Sequence, residues 1–401
     1  MTGPLAGIRV LDLSRLLPGG FCSLLLADYG AEVLKVEDTG AGDYIRWAPP
    51  MIPGAAPSAA SALFLALNRG KRSIRLDLKH PDGRGVLLAL VRAHDVLLES
   101  FRPGVLERLG VGYERLREEN PGLVYCAITG HGRDAPDRDR PGHDINYLAR
   151  NGLLGLTGER DGPPVTAAGQ IADLGGGALM AAFGILAALQ ERARSGKGQL
   201  VDVGMTRASQ SWLAMVAARH FADGAVPERG TLELAGGLAC YRTYRCADGW
   251  VALGALELKF WRALCDGLER PDLVERQFDP AVAEALEAVF SARTRAEWAA
   301  FDAAHGCCLE PVLDLDEALE RVPDAVAEVA QPGAEAPVRL LAPPVGFSRT
   351  PGDGSRPGPA LGADTEAVLR DLGYAPAEIA RLLDEGVVAG PQDVQAGSFR
   401  A

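Results

Sequence analysis

Residues 8–37, IRVLDLSRLLPGGFCSLLLADYGAEVLKVE, contain the pattern that decides the fold class. The apolar run over residues 8–13 predicts a strand, and residues 32–37 predict a second one. Between them, Pro18-Gly19-Gly20 opens an apolar helix that Gly30 ends. Further strands are predicted over residues 75–78, 96–99, 123–129 and 199–205, with a helix over residues 83–93. Strands that alternate with short helices indicate βαβ units and a mainly parallel sheet.

We therefore predict an α/β fold, with a Rossmann-like large domain and a smaller α+β domain. A chain of 401 residues is longer than the roughly 250–300 residues that one core supports. We expect a large domain over residues 1–200, a small domain over 225–330 and a return segment to the large domain over 331–401. Ala247-Asp248-Gly249 predicts a hairpin turn inside the small domain. No G-x-G-x-x-G follows the first strand, so a dinucleotide site is not expected.

Composition limits which partners and which cellular compartment are expected for this protein. A net charge of −12 disfavours nucleic acid, which needs a basic surface. The first residues lack the pattern of a signal peptide, and no apolar run approaches the roughly 20 residues of a membrane span. We therefore expect a cytoplasmic protein without a membrane partner. The seven cysteines are scattered without a CxxC motif, so neither a disulfide framework nor a metal site is expected.

One basic cluster stands out in this acidic chain. Its members fall within eleven residues, with Arg102 and Arg108 close behind: Arg69, Lys71, Arg72, Arg75 and Lys79. Such a run is usually a solvated face. Its concentration here also fits a phosphate-bearing ligand, and both interpretations stay open at this point.

Two short signatures carry the residues suited to proton transfer. The first is Gly142-His143-Asp144-Ile145-Asn146-Tyr147, and the second is Asp173-Leu174-Gly175-Gly176-Gly177 at the start of a predicted helix over residues 174–194. His143 and Asp173 are a plausible acid–base pair for moving a proton on and off carbon. Asp173 is predicted at the helix N-cap, and the glycines would leave backbone N–H groups open to a thioester. A structural histidine and a plain N-cap are the alternatives, and His131 is the rival imidazole.

At these signatures the chain resembles the class III CoA-transferase superfamily and, within it, the α-methylacyl-CoA racemases. The likeness covers nearly the whole chain. It includes residues 3–12 (GPLAGIRVLD), 28–33 (DYGAEV), 68–72 (NRGKR), 76–79 (LDLK), 101–110 (FRPGVLERLG) and 196–199 (GKGQ). The resemblance implies two domains per chain and a homodimer of interlocked rings, with the active site between one subunit's large domain and its partner's small domain.

The resemblance also implies roles for individual residues. It places the catalytic histidine and aspartate of the racemases on His143 and Asp173, with Asp144 and Tyr147 beside them. Glu257 matches a racemase position on the small domain. The residues expected to bind the substrate or its CoA moiety are Arg72, Lys79, Arg102, Arg108, Asp144, Tyr147, Gly175 and Gly176. No separate cofactor is implied, because CoA enters as the thioester of the substrate.

One position departs from the resemblance. Asp38 stands where close racemase relatives carry an arginine just after the second strand, and Lys71 or Arg46 would have to replace that phosphate contact.

Two other functions compete with the racemase. In the transferases that share the superfamily, the aspartate at position 173 attacks the acyl-CoA carbonyl and forms a mixed anhydride. These transferases generally lack the histidine at position 143, which favours the racemase. A non-catalytic CoA-binding protein is the third interpretation. The acyl group stays open, because the apolar residues over 205–225 fit an acyl channel and core packing equally well.

Overall fold

The computed structural model describes residues 3–392 and 396–398. The chain divides into two compact units. The larger unit contains the described residues up to Asn151, then Ala168–Trp212 and those from Val322 onward, and the smaller unit contains Gly152–Ala167 and Leu213–Arg321. The large unit thus extends past residue 200, and the return to it begins at Val322 rather than at 331. Residues 1–2, 393–395 and 399–401 of the predicted large domain and return segment lie outside the described residues.

The strands are numbered in chain order: β1 (Arg9–Asp12), β2 (Glu32–Glu37), β3 (Arg72–Leu76), β4 (Val96–Glu99), β5 (Val124–Thr129), β6 (Leu200–Gly204), β7 (Tyr241–Cys246), β8 (Gly249–Gly254), β9 (Leu309–Pro311), β10 (Val326–Val329), β11 (Val338–Leu341) and β12 (Val388–Ala389).

The α-helices follow the same scheme: α1 (Leu16–Asp28), α2 (Ala62–Asn68), α3 (Pro81–Arg92), α4 (Val105–Arg108), α5 (Tyr113–Glu119), α6 (Asp144–Arg150), α7 (Leu153–Leu156), α8 (Met180–Ser195), α9 (Met205–Gln210), α10 (Ala214–Asp223), α11 (Leu258–Gly267), α12 (Val282–Phe290), α13 (Arg295–His305), α14 (Leu315–Arg321), α15 (Thr365–Asp371) and α16 (Pro376–Asp384). A π-helical segment, Ile171–Leu179, leads directly into α8.

A mainly parallel sheet organises the large unit. In the described part of the chain its strand order is β12-β3-β2-β1-β4-β5-β6, with β12 antiparallel to β3 and the other pairs parallel. The order 3-2-1-4-5-6 is that of a Rossmann-type sheet, and the strand order reverses between β1 and β4. The predicted α/β fold with a Rossmann-like large domain is therefore confirmed.

Helix α1 contacts the turn that precedes it closely because Gly19 has no side chain. A Cβ atom on Gly19 would lie 2.1 Å from the side chain of Ser14, so no larger residue fits there without a shift. Most of α1 is buried, from Cys22 through Asp28. A helix that is apolar on all sides is expected in a core of this kind.

The small unit is α+β, as predicted. Strands β7, β8 and β9 form an antiparallel sheet, and β7 and β8 make the hairpin expected at Ala247-Asp248-Gly249. Its core contains stacked and tilted aromatic rings, with Phe290 4.6 Å from Tyr244 and 4.7 Å from Trp298. The hairpin β10–β11, which falls partly within the predicted small domain, belongs to the large unit.

One expectation about apolar runs was wrong. The π-helical segment and α8 form one continuous helix, Ile171–Ser195, which is long and apolar enough to cross a membrane by length and composition. The sequence pattern predicts most of this helix, over residues 174–194, and places its start three residues too late. Half of its most apolar window is buried inside the protein, as in the core helix of a soluble protein. Length and composition are therefore weak evidence for a span.

Three of the five members of the basic cluster are buried rather than open to a phosphate, and two of these three form buried ion pairs. Arg69 pairs with Asp28 at 2.5 Å and Lys71 with Asp12 at 3.1 Å, all four side chains being buried. Arg75 is also buried and donates to the carbonyl oxygens of residues 39, 40 and 390. Buried charges persist only when they are paired or hydrogen-bonded. Arg69, Lys71 and Arg75 meet this condition inside the protein.

Candidate active site

The crevice at the carboxyl ends of β1 and β4 is where the strand order reverses and where Rossmann-type sheets bind ligands. The loops after these strands are joined, since Leu13 N–H donates to the Leu98 carbonyl at 2.8 Å and Arg15 N–H to Ser100 Oγ at 3.2 Å. These loops carry Arg15 and Arg102. The structure therefore brings cationic side chains to the crevice without a glycine-rich fingerprint.

Asp144 and Asp173 are joined by direct hydrogen bonds. The Oδ1 atom of Asp144 accepts the backbone N–H of Ala172 at 2.6 Å and that of Asp173 at 2.9 Å. The first N–H groups of a helix have no partner inside the helix, so this carboxylate satisfies two of them. The two predicted signatures, 30 residues apart in sequence, thus meet in one site.

The helix containing Asp173 begins earlier than predicted. Asp173 is the third residue of the π-helical segment rather than its N-cap, which is Gln170. The cap comes instead from Asp144, which precedes Ala172 by 28 residues. A carboxylate in the first turn of a helix is still favoured by the helix dipole. Single-turn π-helical insertions recur at functional sites.

Asp173 is a carboxyl group whose pKa suits proton transfer near neutral pH. Burial raises its pKa from the ordinary 3.8 to about 6, and the negative charge of Asp144 adds to this rise. The His143 side chain opposes it, so the imidazole lies close enough for its charge to act on Asp173. A pKa near the working pH lets one group serve as base and as acid.

Gly175 and Gly176 have a packing reason for being glycine. A Cβ atom on Gly175 would lie 2.3 Å from the Trp212 ring, and one on Gly176 would lie 2.9 Å from the backbone nitrogen of Ser209. The protein itself occupies the space that we expected the glycines to leave for a thioester. Their absence of side chains lets the helix of Asp173 pack against α9.

His143 is exposed at the N-cap position of α6. Its backbone N–H donates to Asn146 Oδ1 at 3.0 Å, and its carbonyl oxygen accepts the Asn146 N–H at 2.8 Å. These bonds fix the backbone while the imidazole faces solvent. The rival His131 is in a different situation: its Nδ1 lies 2.9 Å from Thr206 Oγ1, and burial lowers its pKa.

Tyr147 is buried next to His131 and to the loop that carries His143. Its hydroxyl donates to the Gly142 carbonyl at 2.6 Å, and its ring stands edge-on to His131 with centroids 5.4 Å apart. Burial raises the pKa of Tyr147 to about 12, the charges of Asp173 and Asp144 add to the rise, and Arg102 opposes it. The neutral phenol therefore stabilises the loop around His143.

The structure separates the four cations predicted to bind CoA. Arg102 and Arg108 are exposed, and in the described residues neither guanidinium has a carboxylate partner within salt-bridge distance. Lys79 is exposed after β3, at the same sheet edge but three strand spacings away, roughly 14 Å. Arg72 begins β3 at the opposite edge, where it pairs with Asp364 at 3.1 Å. Arg102 and Arg108 are the pair best placed for phosphate.

The structure shows which cation lies beside Asp38, and the sequence analysis did not predict it. Arg15 donates to Asp38 Oδ2 at 2.6 Å and lies over the Tyr44 ring at 5.2 Å. The substitutes that we expected are wrong, because Lys71 is buried against Asp12 and Arg46 is buried against Glu37 at 2.6 Å. Arg15 could have been found as the charged residue directly after the first strand.

Within the small unit, Glu257 is exposed at the N-cap position of α11 and makes no side-chain capping bond there. Its charge acts on the exposed thiol of Cys308, so these two side chains lie near each other. Cys307 is buried and Cys308 is exposed. Among the described residues, no cluster of three or more His, Cys, Asp or Glu side chains has the arrangement of a metal site.

The apolar residues over 205–225 are divided between core and surface. Met205 is buried, whereas Met215 and Phe221 are exposed over 76% and 82% of their surface. A cavity of about 700 Å³ in the small unit is lined by Leu153, Leu156, Leu213, Met215, Val216 and Val226, among others. Core packing within this chain therefore does not account for all of these residues.

Comparison with known proteins points to one family. The sequence model of CoA-transferase family III matches residues 5–365. The alpha-methylacyl-CoA racemase of Mus musculus is 37% identical over 396 residues, 96% of this chain and 97% of that protein. The succinyl-CoA:mesaconate CoA-transferase of Haloarcula marismortui is 36% identical over 397 residues, 92% of this chain and 97% of that protein. The crystal structure of a CAIB/BAIF family protein from Brucella suis superposes with a TM-score of 0.80 at 30% identity, covering 93% of this chain and all of that one.

Proposed function

Because the chain belongs to CoA-transferase family III, we propose that it racemises or epimerises 2-methylacyl-CoA thioesters by removing and returning the α-proton. The observation that carries this proposal is Asp173, a carboxyl group whose pKa is raised to about 6 beside an exposed imidazole. The identity to a racemase over nearly the full length of both proteins supports it.

The reaction needs one group on each face of the α-carbon. The thioester withdraws electron density, so its α-hydrogen is weakly acidic and leaves an enolate. His143 removes or returns the proton on one face, and Asp173 does so on the other. Each group acts as base for one enantiomer and as acid for its mirror image. Burial and, to a lesser extent, the charge of Asp144 keep the pKa of Asp173 high, which suits Asp173 to both roles.

The CoA moiety carries a pyrophosphate and a 3′-phosphate. Arg102 and Arg108, both exposed, are the proposed contacts, because a guanidinium grips phosphate through two parallel hydrogen bonds. Lys79 contributes at longer range. The apolar lining of the small-unit cavity supports an apolar acyl group. No further cofactor is required for this chemistry.

Assembly and compartment belong to the same proposal. We expect a cytoplasmic homodimer of interlocked chains in which Glu257 of one subunit hydrogen-bonds His143 of the other. Met215 and Phe221 are large, apolar and exposed, which supports a subunit interface that covers them.

A CoA-transferase is the second candidate, and the relative from Haloarcula marismortui supports it. In that reaction Asp173 attacks the acyl carbonyl and CoA leaves as the thiolate, giving an aspartyl anhydride. Asp173 serves either mechanism. The exposed His143 supports the racemase, since acyl transfer to a carboxylate needs no second acid–base group.

One experiment separates these functions. The protein is incubated with a 2-methylacyl-CoA in deuterium oxide and then treated with hydroxylamine. We expect deuterium at the α-carbon and no change in protein mass. A hydroxamate on Asp173, together with transfer of CoA to an added carboxylic acid, would establish the transferase instead. Binding of CoA without either reaction would leave a non-catalytic CoA-binding protein.

A further inference from the structure

Arg133 lies between the two loops that build the candidate site. It follows β5, on the loop that leads toward His143, and its side chain reaches the loop after β4. Its guanidinium donates to Glu107 at 2.6 Å and lies 3.7 Å from Glu99. Only 17% of the Arg133 side chain is exposed. One cation therefore joins two carboxylates of the neighbouring loop.

Strand β6 fixes the backbone position of Arg133. The backbone N–H of Arg133 donates to both carboxylate oxygens of Asp202 on β6, each at 3.2 Å. The preceding residue, Gly132, donates to Thr129 Oγ1 at 2.9 Å. A Cβ atom on Gly204 would lie 2.6 Å from the Gly132 nitrogen, so this loop lies directly on β6. The loop of Arg133 thus has little freedom to move.

The loop that Arg133 holds carries the proposed phosphate contacts. Glu99 ends β4 and accepts the Phe101 N–H at 2.7 Å, one residue before Arg102. Glu107 lies in α4 directly before Arg108. Arg102 therefore lies between the two carboxylates that Arg133 contacts, and Arg108 directly follows the second of them. Without that cation, Glu107 would lose its ion-pair partner, and the segment from Glu99 to Arg108 would lose its tie to the loop after β5.

Arg133 also affects the protonation of a buried carboxyl group. Glu99 is buried, and burial raises its pKa to about 7, while Arg133 and the Tyr125 hydroxyl oppose that rise. Without Arg133 the pKa of Glu99 would rise further, so Glu99 would be protonated, and the loop after β4 would lose both of its contacts with the loop after β5. The loop after β4 would then carry Arg102 and Arg108 away from their present positions.

We propose that Arg133 is a positioning residue for CoA: it holds the Glu99–Arg108 segment so that Arg102 and Arg108 converge on the phosphates. The inference rests on the proposed function, in that it takes CoA as the ligand of those two arginines. Arg133 itself contacts neither the substrate nor the reacting atoms. It acts on binding, so its loss raises KM and leaves kcat nearly unchanged.

The test measures CoA binding by titration calorimetry and turnover of a 2-methylacyl-CoA with the full chain. We expect Arg133→Met to weaken CoA binding and to raise KM by roughly tenfold, with kcat within about twofold. Arg133→Lys should recover part of this loss. Glu107→Gln should weaken binding as well, and the double variant should be no weaker than Arg133→Met, because one interaction is removed once.

A matched control lies far from the crevice. Arg92 forms an ion pair with Glu119 at 2.5 Å at the end of α3, away from the carboxyl ends of the strands. Arg92→Met should leave CoA affinity within about twofold of the wild-type value. Should Arg133→Met fail to fold, Arg133→Lys and Glu107→Gln carry the same comparison.

Three outcomes overturn the inference, and they are distinguishable. If the wild-type protein binds CoA and Arg133→Met binds it equally well while losing thermal stability, Arg133 is only structural. If the wild-type protein binds no CoA, the proposed function fails, and this inference fails with it. A tenfold effect that persists when Arg102 and Arg108 are both replaced by Met would also overturn it, because Arg133 would then act by another route.

Discussion

Asp144 Oδ1 accepts the backbone N–H of Asp173 at 2.9 Å and, with the same oxygen, that of Ala172 at 2.6 Å. One carboxylate therefore does two things to its neighbour. It fixes the first turn of the helix that holds Asp173, and its charge raises the pKa of the Asp173 carboxyl. These effects can be separated by substitution, because the first needs an acceptor oxygen and the second needs a negative charge.

Asp144→Asn keeps the acceptor oxygen and removes the charge. The pKa of Asp173 should fall, although it stays above 3.8 because burial is the larger cause of its rise. The acidic limb of the pH profile for α-proton exchange should therefore move to lower pH, by about one unit. The measurement is deuterium uptake at the α-carbon as a function of pH. An unchanged acidic limb would mean that Asp144 does not set the pKa of Asp173.

Asp144→Ala is the matched variant, because it removes the acceptor as well. Two N–H groups at the start of the helix then lose their partner. We expect a loss of about 1–2 kcal/mol in the free energy of unfolding, and a smaller loss for Asp144→Asn. Urea unfolding of the two variants checks this. Equal losses would show that the hydrogen bonds contribute nothing beyond the charge.

Asp173→Asn should change how stability depends on pH. The folded-state pKa of Asp173, about 6, lies above its ordinary value of 3.8. Its contribution to stability is therefore fully present below about pH 4 and is lost as pH rises through 6. Asparagine cannot ionise, so the variant should gain stability relative to the wild type between pH 4 and 7, on the order of 1–3 kcal/mol. Urea unfolding of both proteins at the two pH values measures the difference. A constant difference would mean that the pKa of Asp173 is not raised.

The sheet was predictable because its strands are buried on both faces. Buried parallel strands are continuous apolar runs, and the predicted bounds of β2 and β4 agree with the structure. The hairpin of the small unit followed from its turn residues in the same way. A strand or turn whose pattern involves only a few neighbouring residues can be predicted without knowledge of tertiary contacts.

The features that the sequence analysis missed depend on partners far along the chain. The helix start at Ile171 depends on Asp144, and the burial of Lys71 depends on Asp12, 59 residues before it. A local pattern therefore interpreted Asp173 as an N-cap and the basic cluster as open. Arg15 and Arg133 were missed for the same reason, since their partners Asp38 and Glu107 lie on other loops.

Gly176→Ala should destabilise the protein where Gly85→Ala does not. The added Cβ at Gly176 would meet the Ser209 nitrogen at 2.9 Å and the Met205 carbonyl oxygen at 3.1 Å, and backbone atoms cannot swing aside. We expect a loss of about 1–3 kcal/mol. Gly85 is exposed inside α3 with nothing within 4 Å of such a Cβ, so alanine there should gain about 0.5–1 kcal/mol. Thermal and urea unfolding compare the two, and a stable Gly176→Ala protein would contradict the packing seen here.

Co-expression tests whether the active site is shared between subunits. With the enantiomer whose α-proton His143 removes, His143→Ala and Glu257→Gln chains are each expected to lose most of their exchange activity. In a dimer of one chain of each kind, an intersubunit site would pair an intact His143 with an intact Glu257 once. The isolated mixed dimer, carrying a different tag on each chain, should then recover about half of the wild-type rate. Recovery to no more than the mean of the two single variants would place both residues of a site in one chain. Sedimentation at micromolar concentration should show dimers, and an active monomer would contradict the interlocked arrangement.

His143→Ala should abolish exchange from one enantiomer far more than from the other, while CoA still binds. The reason is that each face of the α-carbon has its own acid–base group, and Asp173 remains for the opposite face. Deuterium uptake from each separate enantiomer measures this, and removal of a general base typically costs about 10²- to 10⁴-fold. The control is His131→Ala: that imidazole lies against Thr206 and Tyr147, so its loss should lower stability and leave the ratio of the two exchange rates unchanged. Near-normal exchange from both enantiomers in His143→Ala would remove His143 from the reaction and make His131 the candidate base.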